Sequence, residues 1–460
     1  MRVLLLNPPG RRLYVRDYFC SKTSKSNYLY HPVDLLALSG SLAAEHELGV
    51  LDAMAERLDA RRAHERIEAF APEVVVSLVG SVSWEEDRAF LREVARRGPR
   101  GPRIIVLGDL FQEDAPQKLA SEPWIEAALH DFASGDAAAY LAGRTGELGD
   151  VTLREGCVPR RVHGRRASSE WRMPRPRHEL FPERGYRFSF ARRTPFATLL
   201  TDYGCPYPCS FCVIGTLGHR ARPVLDVLEE VDFLRARGTR ELFFADQTFG
   251  VRRARALELC AALAARGDLS WTAFTRPDLA DRELLPAMAR AGCHTLILGI
   301  ESADEALLST YRKGYRTSDA RRAVALAREL GMRTVGTFIL GLPEETEQSL
   351  ERSLALALEL ELDFLSFNVA VPRFATPFRA RALELGLARE RDLVMDQSGS
   401  APFLATLALS RDELVRHKRR WVRRFYLRPR YLWRRLRDVR DVRELGRQAR
   451  EGLALLARNL

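Results

Sequence analysis

Short apolar runs alternate with helical stretches twice over in this sequence, once before residue 150 and again after residue 193. Two strands joined through a helix pair in parallel, because the helix supplies the crossover, so each series commits its stretch to a parallel sheet with helices against it. In the first series the runs are residues 3–7, 48–52, 74–79, 104–108 and a weaker one at 125–132. Helical patterns lie between them, and an open, doubly wound, Rossmann-like α/β domain is expected over residues 1–150. In the second series, runs at 197–201, 241–245, 270–275, 295–300, 333–340 and 362–371 alternate with helical stretches such as 224–237, 253–266 and 319–330. Six such units predict a partial (β/α)6 barrel over residues 194–385, with its active residues at the carboxyl ends of the strands.

Between the two series, residues 151–193 lose all periodicity and include Met173-Pro174-Arg175-Pro176-Arg177, which predicts a linker. After the barrel, residues 386–460 form a basic, mainly helical region. Residues 411–460 carry 17 Lys and Arg against 6 Asp and Glu, a surplus equal to the +11 of the whole chain. The rest of the chain is neutral on balance, so only this tail needs an acidic partner. Within it Leu432, Leu436, Val439, Val442 and Leu445 form one apolar stripe against an arginine face. That stripe reads either as a helix packed on the barrel with solvated arginines or as one attracted to anionic lipid headgroups. Aromatic and basic residues interleave here, but no recognisable RNA-binding module accompanies them, and nucleic acid is not an expected partner.

No apolar run reaches the roughly 20 residues that a membrane span needs, and Met1-Arg2-Val3-Leu4-Leu5-Leu6-Asn7 reads as a strand rather than a signal peptide. A cytoplasmic protein is expected, peripheral to the inner membrane face if the tail binds lipid. The carboxyl ends of the first series bear Asn7, Asp52, Ser77 and Gly108, small or polar residues that let a ligand approach the backbone. Residues 14–31, rich in Tyr, Ser, Lys and Asn, make a loop long enough to close over a ligand.

The first run of the second series leads into Thr201-Asp202-Tyr203-Gly204-Cys205-Pro206-Tyr207-Pro208-Cys209-Ser210-Phe211-Cys212. Glycine and proline bend such a Cys-x3-Cys-x2-Cys loop so that each thiolate can reach one iron of a cubane, and the fourth iron is left without a protein ligand. A structural zinc site is the other reading, with His219 as a fourth ligand, although zinc more often takes paired Cys-x2-Cys knuckles.

The loop resembles the signature of the radical S-adenosylmethionine superfamily, including the aromatic Phe211 before the third cysteine. That resemblance implies that Cys205, Cys209 and Cys212 hold a 4Fe–4S cluster whose open iron chelates S-adenosylmethionine. It further implies reductive cleavage to methionine and a 5′-deoxyadenosyl radical that takes hydrogen from a substrate. An electron donor such as flavodoxin or ferredoxin is implied, and no catalytic residue beyond the cluster ligands. The later strand ends resemble the family's segments in order. Asp246 would approach the methionyl amine, Arg276 would lie on the third strand, Glu301 would bind the ribose or the methionyl end, and Gly341 would contact the adenine. Thr337 stands where a glycine is often found.

The first domain, opening on Leu4-Leu5-Leu6-Asn7-Pro8-Pro9 with Asp52 closing its second run, looks like the cobalamin-binding domain that precedes the barrel in cobalamin-dependent radical enzymes. Asn7, Asp52, Ser77 and Gly108 are then its candidate cobalamin residues. The implied reaction is methylation of an unactivated carbon of a small molecule or lipid. A cyclase or rearrangement enzyme, or one whose degenerate domain binds no cobalamin, is the alternative, since the sequence has no Asp-x-His-x-x-Gly segment. A methylthiotransferase would need a second three-cysteine site, and the N-terminal half offers only Cys20 and Cys157. From another class, a zinc-stabilised protein that binds RNA or a membrane surface would explain the tail but not the ordered strand ends.

Overall fold

The computed structural model describes every residue except 26, 98–100, 157, 165–170, 399–402, 438–451 and 453–460. The N-terminal strands are β1 (Arg2–Asn7), β2 (Tyr14–Asp17), β3 (Cys20–Thr23), β4 (Glu47–Asp52), β5 (Val74–Leu78), β6 (Arg103–Leu107), β7 (Ile125–Leu129), β8 (Asp150–Glu155) and β9 (Val158–His163). Seven of them form one sheet in the order β4-β1-β5-β6-β7-β8-β9, parallel as far as β7. Successive residues alternate between its two faces. Val3, Leu5, Val74, Val76 and Ile105 join one apolar cluster, and Leu4, Leu6, Val75, Ile104 and Val106 join another. A sheet covered on both faces reads as continuous hydrophobic runs, which is why these strands are visible in the sequence.

The stretch expected to be a linker from residue 151 departs from that expectation. β8 and β9 extend the first sheet as an antiparallel hairpin. Its outer strand, Val158-Pro159-Arg160-Arg161-Val162-His163, combines proline with charge. Edge strands use such residues to block further pairing, and they also erase the period-2 pattern.

The second series folds into β10 (Phe196–Leu199), β11 (Asp202–Gly204), β12 (His219–Ala221), β13 (Glu241–Phe244), β14 (Ser270–Thr275), β15 (Cys293–Glu301), β16 (Arg333–Leu340) and β17 (Phe364–Val369). Six of these pair in parallel in the order β10-β13-β14-β15-β16-β17 and make the partial barrel. Residues from β13 to β17, Phe243, Phe274, Ile297, Val335 and Phe364 among them, converge on one interior cavity of about 1460 Å³. The first domain closes that cavity from the other side, and its apolar cluster runs without a break into Phe196, Tyr203 and Phe243 of the barrel.

After the barrel, helix Arg411–Tyr426 starts at a capping box formed by Ser410 and Glu413, and it buries Leu414, Trp421, Val422 and Phe425 in the barrel's outer core. The short helix Pro429–Arg437 follows, with Leu432, Trp433 and Leu436 largely exposed. The rest of the predicted stripe, Val439, Val442 and Leu445, lies outside the described residues.

Candidate active site

The cysteine loop is the tip of the β11–β12 hairpin, where Gly204 pairs with His219. Gly204 sits at φ 75°, and a Cβ there would come within 1.7 Å of the Gly218 carbonyl oxygen, so only glycine can open the loop. The Cys205 N–H donates to that same carbonyl, and the Ser210 N–H donates to the Tyr311 carbonyl, which ties the loop to the barrel. All three cysteines line the cavity. Burial pushes the Cys209 thiol up and the Cys212 thiol up to about 12. A metal cation is what turns a buried thiol of this kind into a thiolate.

Among the described residues no three His, Cys, Asp or Glu side chains converge on a point where a single ion could sit, the arrangement that a structural zinc needs. A cubane takes one thiolate per iron and spreads its ligands over the cluster. His219 instead lies 3.5 Å from Asp202. Thr248 Oγ1 is 3.7 Å from Cys205 Sγ, and the Arg276 guanidinium points a donor at Cys209 Sγ from 3.9 Å.

Phe211, Arg276 and Glu301 face the same cavity as the cysteines. Arg276 is fixed by Asp278 at 3.0 Å and lies over the Tyr207 ring, 3.8 Å from its centroid. Glu301 sits at φ 59° where the β15–β16 register shifts, so the backbone is bent to aim its carboxylate inward. There it meets Lys313 Nζ at 2.9 Å, a residue that no periodicity marks because it sits in the turn after a short helix. Burial alone would lower the Lys313 ammonium, but Glu301 and Cys209 hold it above the usual lysine range. Carboxylate, ammonium and guanidinium together can bind a zwitterionic ligand beside the sulfur atoms.

Two sequence-predicted residues do not face this space. Asp246 is fully buried and accepts from the Thr201 N–H at 2.6 Å, the Thr201 hydroxyl at 2.7 Å and the Asp202 N–H at 2.9 Å. It braces the strand that leads into the cysteine loop, while the next two residues, Gln247 and Thr248, present their side chains to the cavity. These residues lie beyond the end of β13 in an irregular bend, so the local backbone turns Asp246 toward Thr201 and the two residues after it toward the cavity.

Gly341, at φ 90°, gives its N–H to Glu345 Oε2 at 2.6 Å, and the neighbouring Ile339 and Leu342 line the cavity in its place. Burial pushes the Glu345 carboxyl up to about 8. Stability from the protonated form is therefore complete below about pH 4.5 and lost as pH rises through about 8. Glu345→Gln should flatten the fall in melting temperature between pH 6 and 8.5; an unchanged slope would exclude Glu345 as its source.

The four residues at the carboxyl ends of the first sheet, Asn7, Asp52, Ser77 and Gly108, do not line the cavity. Asn7 Nδ2 donates to Asp52 Oδ1 at 2.9 Å, and Asp52 also caps the following turn and accepts from the Tyr186 hydroxyl. Ser77 bonds to a neighbouring carbonyl, and a Cβ on Gly108 would strike the Val79 carbonyl oxygen at 1.9 Å. The crevice at these strand ends is filled by the β2–β3 hairpin. Arg16 donates to Asp87 through two nitrogens at 2.6 and 3.1 Å and to Asn7 Oδ1 at 2.9 Å, and Ser21 donates to Asp109 from its backbone and its hydroxyl.

The long loop of residues 14–31 thus carries the first domain's contribution to the site. Tyr18 accepts from the Gly204 N–H at the root of the cysteine loop, and Asp17, Cys20, Lys22 and Lys25 line the cavity. Arg373, just beyond β17, is 5% exposed and lines the same space, with its Nη1 4.0 Å from Asp109 Oδ2 and no hydrogen bond at either terminal nitrogen.

The chain is similar to several known proteins. The chain is 28% identical over 447 residues to an uncharacterized methyltransferase of Pyrococcus horikoshii, with 94% of each chain covered. It is 30% identical to an anaerobic magnesium-protoporphyrin IX monomethyl ester cyclase of Cereibacter sphaeroides over half of this chain and 39% of that one. Two solved structures share the fold. The methyltransferase TsrM of Kitasatospora setae, solved with cobalamin and a 4Fe–4S cluster, matches at TM-score 0.66 and 20% identity over 84% of this chain and 75% of its own. The cobalamin-dependent radical enzyme OxsB matches at TM-score 0.71 and 14% identity over 99% and 71%. The profile of the radical SAM superfamily matches residues 200–357, from the residue before the cysteine hairpin to the helix after β16. Residues 200–357 thus form a domain of the radical S-adenosylmethionine superfamily.

Proposed function

We propose that this radical S-adenosylmethionine enzyme uses cobalamin to methylate an unactivated carbon of a small-molecule or lipid substrate. The observation that carries this reading is the single cavity, which joins the three cysteines and the Arg276, Glu301 and Lys313 side chains to the loop of the first domain. When bound, the cluster supplies an electron, S-adenosylmethionine a carbon radical, and cobalamin a transferable methyl group.

The chain's residues hold and orient. Cys205, Cys209 and Cys212 would bind the cluster, and Glu301, Lys313 and Arg276 would take the charged groups of S-adenosylmethionine. Phe211 and the apolar barrel wall would keep water from the reacting atoms. A corrinoid would lie in the cavity, where the terminal nitrogens of buried Arg373, one of them 4.0 Å from Asp109, are donors suited to its amide or phosphate oxygens. The names of the Pyrococcus relative and TsrM favour methyl transfer, and that of the Cereibacter relative favours cyclisation as the second reading.

No helix among the described residues is long and apolar enough to cross a membrane. Exposed Leu427, Leu432, Trp433 and Leu436 beside arginines support a cytoplasmic enzyme whose last helix touches the inner membrane face, with flavodoxin or ferredoxin as reductant.

Full-length protein purified anaerobically in the presence of cobalamin should carry a corrinoid absorption spectrum, and Arg373→Met should lower corrinoid occupancy several-fold. Protein that forms 5′-deoxyadenosine yet takes up no corrinoid would move the assignment to the cobalamin-free reading.

A further inference from the structure

Each of the three cysteine sulfurs has its own hydrogen-bond donor. Thr248 Oγ1 lies 3.7 Å from Cys205 Sγ. Arg276 spends Nε and Nη2 on Asp278, at 3.0 and 3.1 Å, and turns Nη1 toward Cys209 Sγ at 3.9 Å. The Ile214 backbone N–H serves the third sulfur, Cys212. The backbone donor comes with the loop itself, and Arg276 belongs to the charged end of the site. The Thr248 hydroxyl is the donor that neither of these explains.

The bend after β13 holds that hydroxyl rigidly. Two residues before it, the Asp246 carboxylate grips Thr201 and Asp202, which lead into Cys205. One residue after it, the Phe249 N–H donates to the Phe274 carbonyl at 2.8 Å, and the Phe249 carbonyl accepts from the Thr275 hydroxyl at 2.8 Å. One short segment therefore fixes donor and sulfur against each other. At 6% exposure the Thr248 hydroxyl works in a low-dielectric setting, where a hydrogen bond is stronger than in water. A thiol either donates to a hydroxyl or accepts from it, but a thiolate on iron only accepts, so in cluster-loaded protein the Thr248 O–H would point at Cys205. Reduction adds one negative charge to the cluster and its sulfurs. A donor aimed at a sulfur stabilises that charge and raises the potential, and hydrogen bonds to the sulfurs are among the factors that set it.

We propose, on the radical-enzyme reading above, that Thr248 is a positioning residue of the cluster: its hydroxyl donates to the Cys205 sulfur and makes the cluster easier to reduce.

Redox titration of the full-length protein tests the contact. The protein is reconstituted anaerobically with iron and sulfide and titrated with dithionite in the presence of mediators. The reduced cluster is counted by electron paramagnetic resonance, and iron is measured on the same samples. Thr248→Val should keep about four irons. At the wild-type midpoint its ratio of reduced to oxidised cluster should fall about 10-fold, a shift of about 59 mV for one electron. Thr248→Ala should show the same fall, so the outcome does not hang on the folding of one variant, and Thr248→Ser, which keeps the hydroxyl, should stay close to the wild type. Full iron with an unmoved midpoint in Thr248→Val or Thr248→Ala overturns the proposal and leaves the radical reading standing. A Thr248→Ser midpoint that falls as far as that of Thr248→Val also overturns it, because packing rather than the hydroxyl would then set the potential. A wild type that holds no iron overturns the radical reading itself.

Discussion

Cys209→Ala protein, reconstituted anaerobically with iron and sulfide and supplied with dithionite as reductant, is expected to form no detectable 5′-deoxyadenosine from S-adenosylmethionine, where the wild type should hold about four irons and form it readily. Cys209 is the middle ligand of the loop and the one that Arg276 approaches at 3.9 Å, so its removal takes away one iron's anchor and the contact that orients it. Cys260→Ala is the control, because Cys260 is buried in the barrel's outer core among leucines and does not line the cavity. It should keep the full iron content and lose only the stability of a small apolar side chain. Zinc in place of iron, or cleavage that survives Cys209→Ala, would end the cluster assignment.

Arg16→Met should destabilise the protein by about 3–5 kcal/mol in urea denaturation, the scale of breaking a buried ion pair, because it strands the Asp87 carboxylate, whose side chain is 0% exposed. Replacing both partners, Arg16→Met with Asp87→Leu, should recover most of that loss, since an apolar pair of similar volume needs no desolvated charge. By contrast Arg61→Ala removes half of an exposed pair on a surface helix and should change stability by no more than ~0.5 kcal/mol. If Arg16→Met cost no more than Arg61→Ala, the β2–β3 hairpin would not be locked in the crevice. The space assigned to a corrinoid would then have to include that crevice.

Both parallel sheets were legible because strands buried on two faces print unbroken apolar runs, and the turns between them carry glycine, proline and acid. The cysteine loop was legible for a related reason: its three cysteines lie within eight residues, so their spacing alone marks the loop. Arg276 and Glu301 were legible as strand-end positions, Arg276 directly after β14 and Glu301 as the last residue of β15.

Asp246 and Gly341 spend their polar groups on Thr201, Asp202 and Glu345, since the direction in which a strand-end residue emerges depends on local twist and on which groups need a partner. The thiolate loop, the two sheets and their order were thus determined by the sequence itself, through short-range spacing and periodic burial. Tertiary structure alone decided that a polar loop at residues 14–31 fills the first domain's crevice. It also decided that Lys25 of that loop reaches Asn368 at the end of β17 and that Lys313 reaches Glu301. Those pairings join side chains with no shared period, and they exist only because the apolar runs, once packed, leave each buried charge to find its partner.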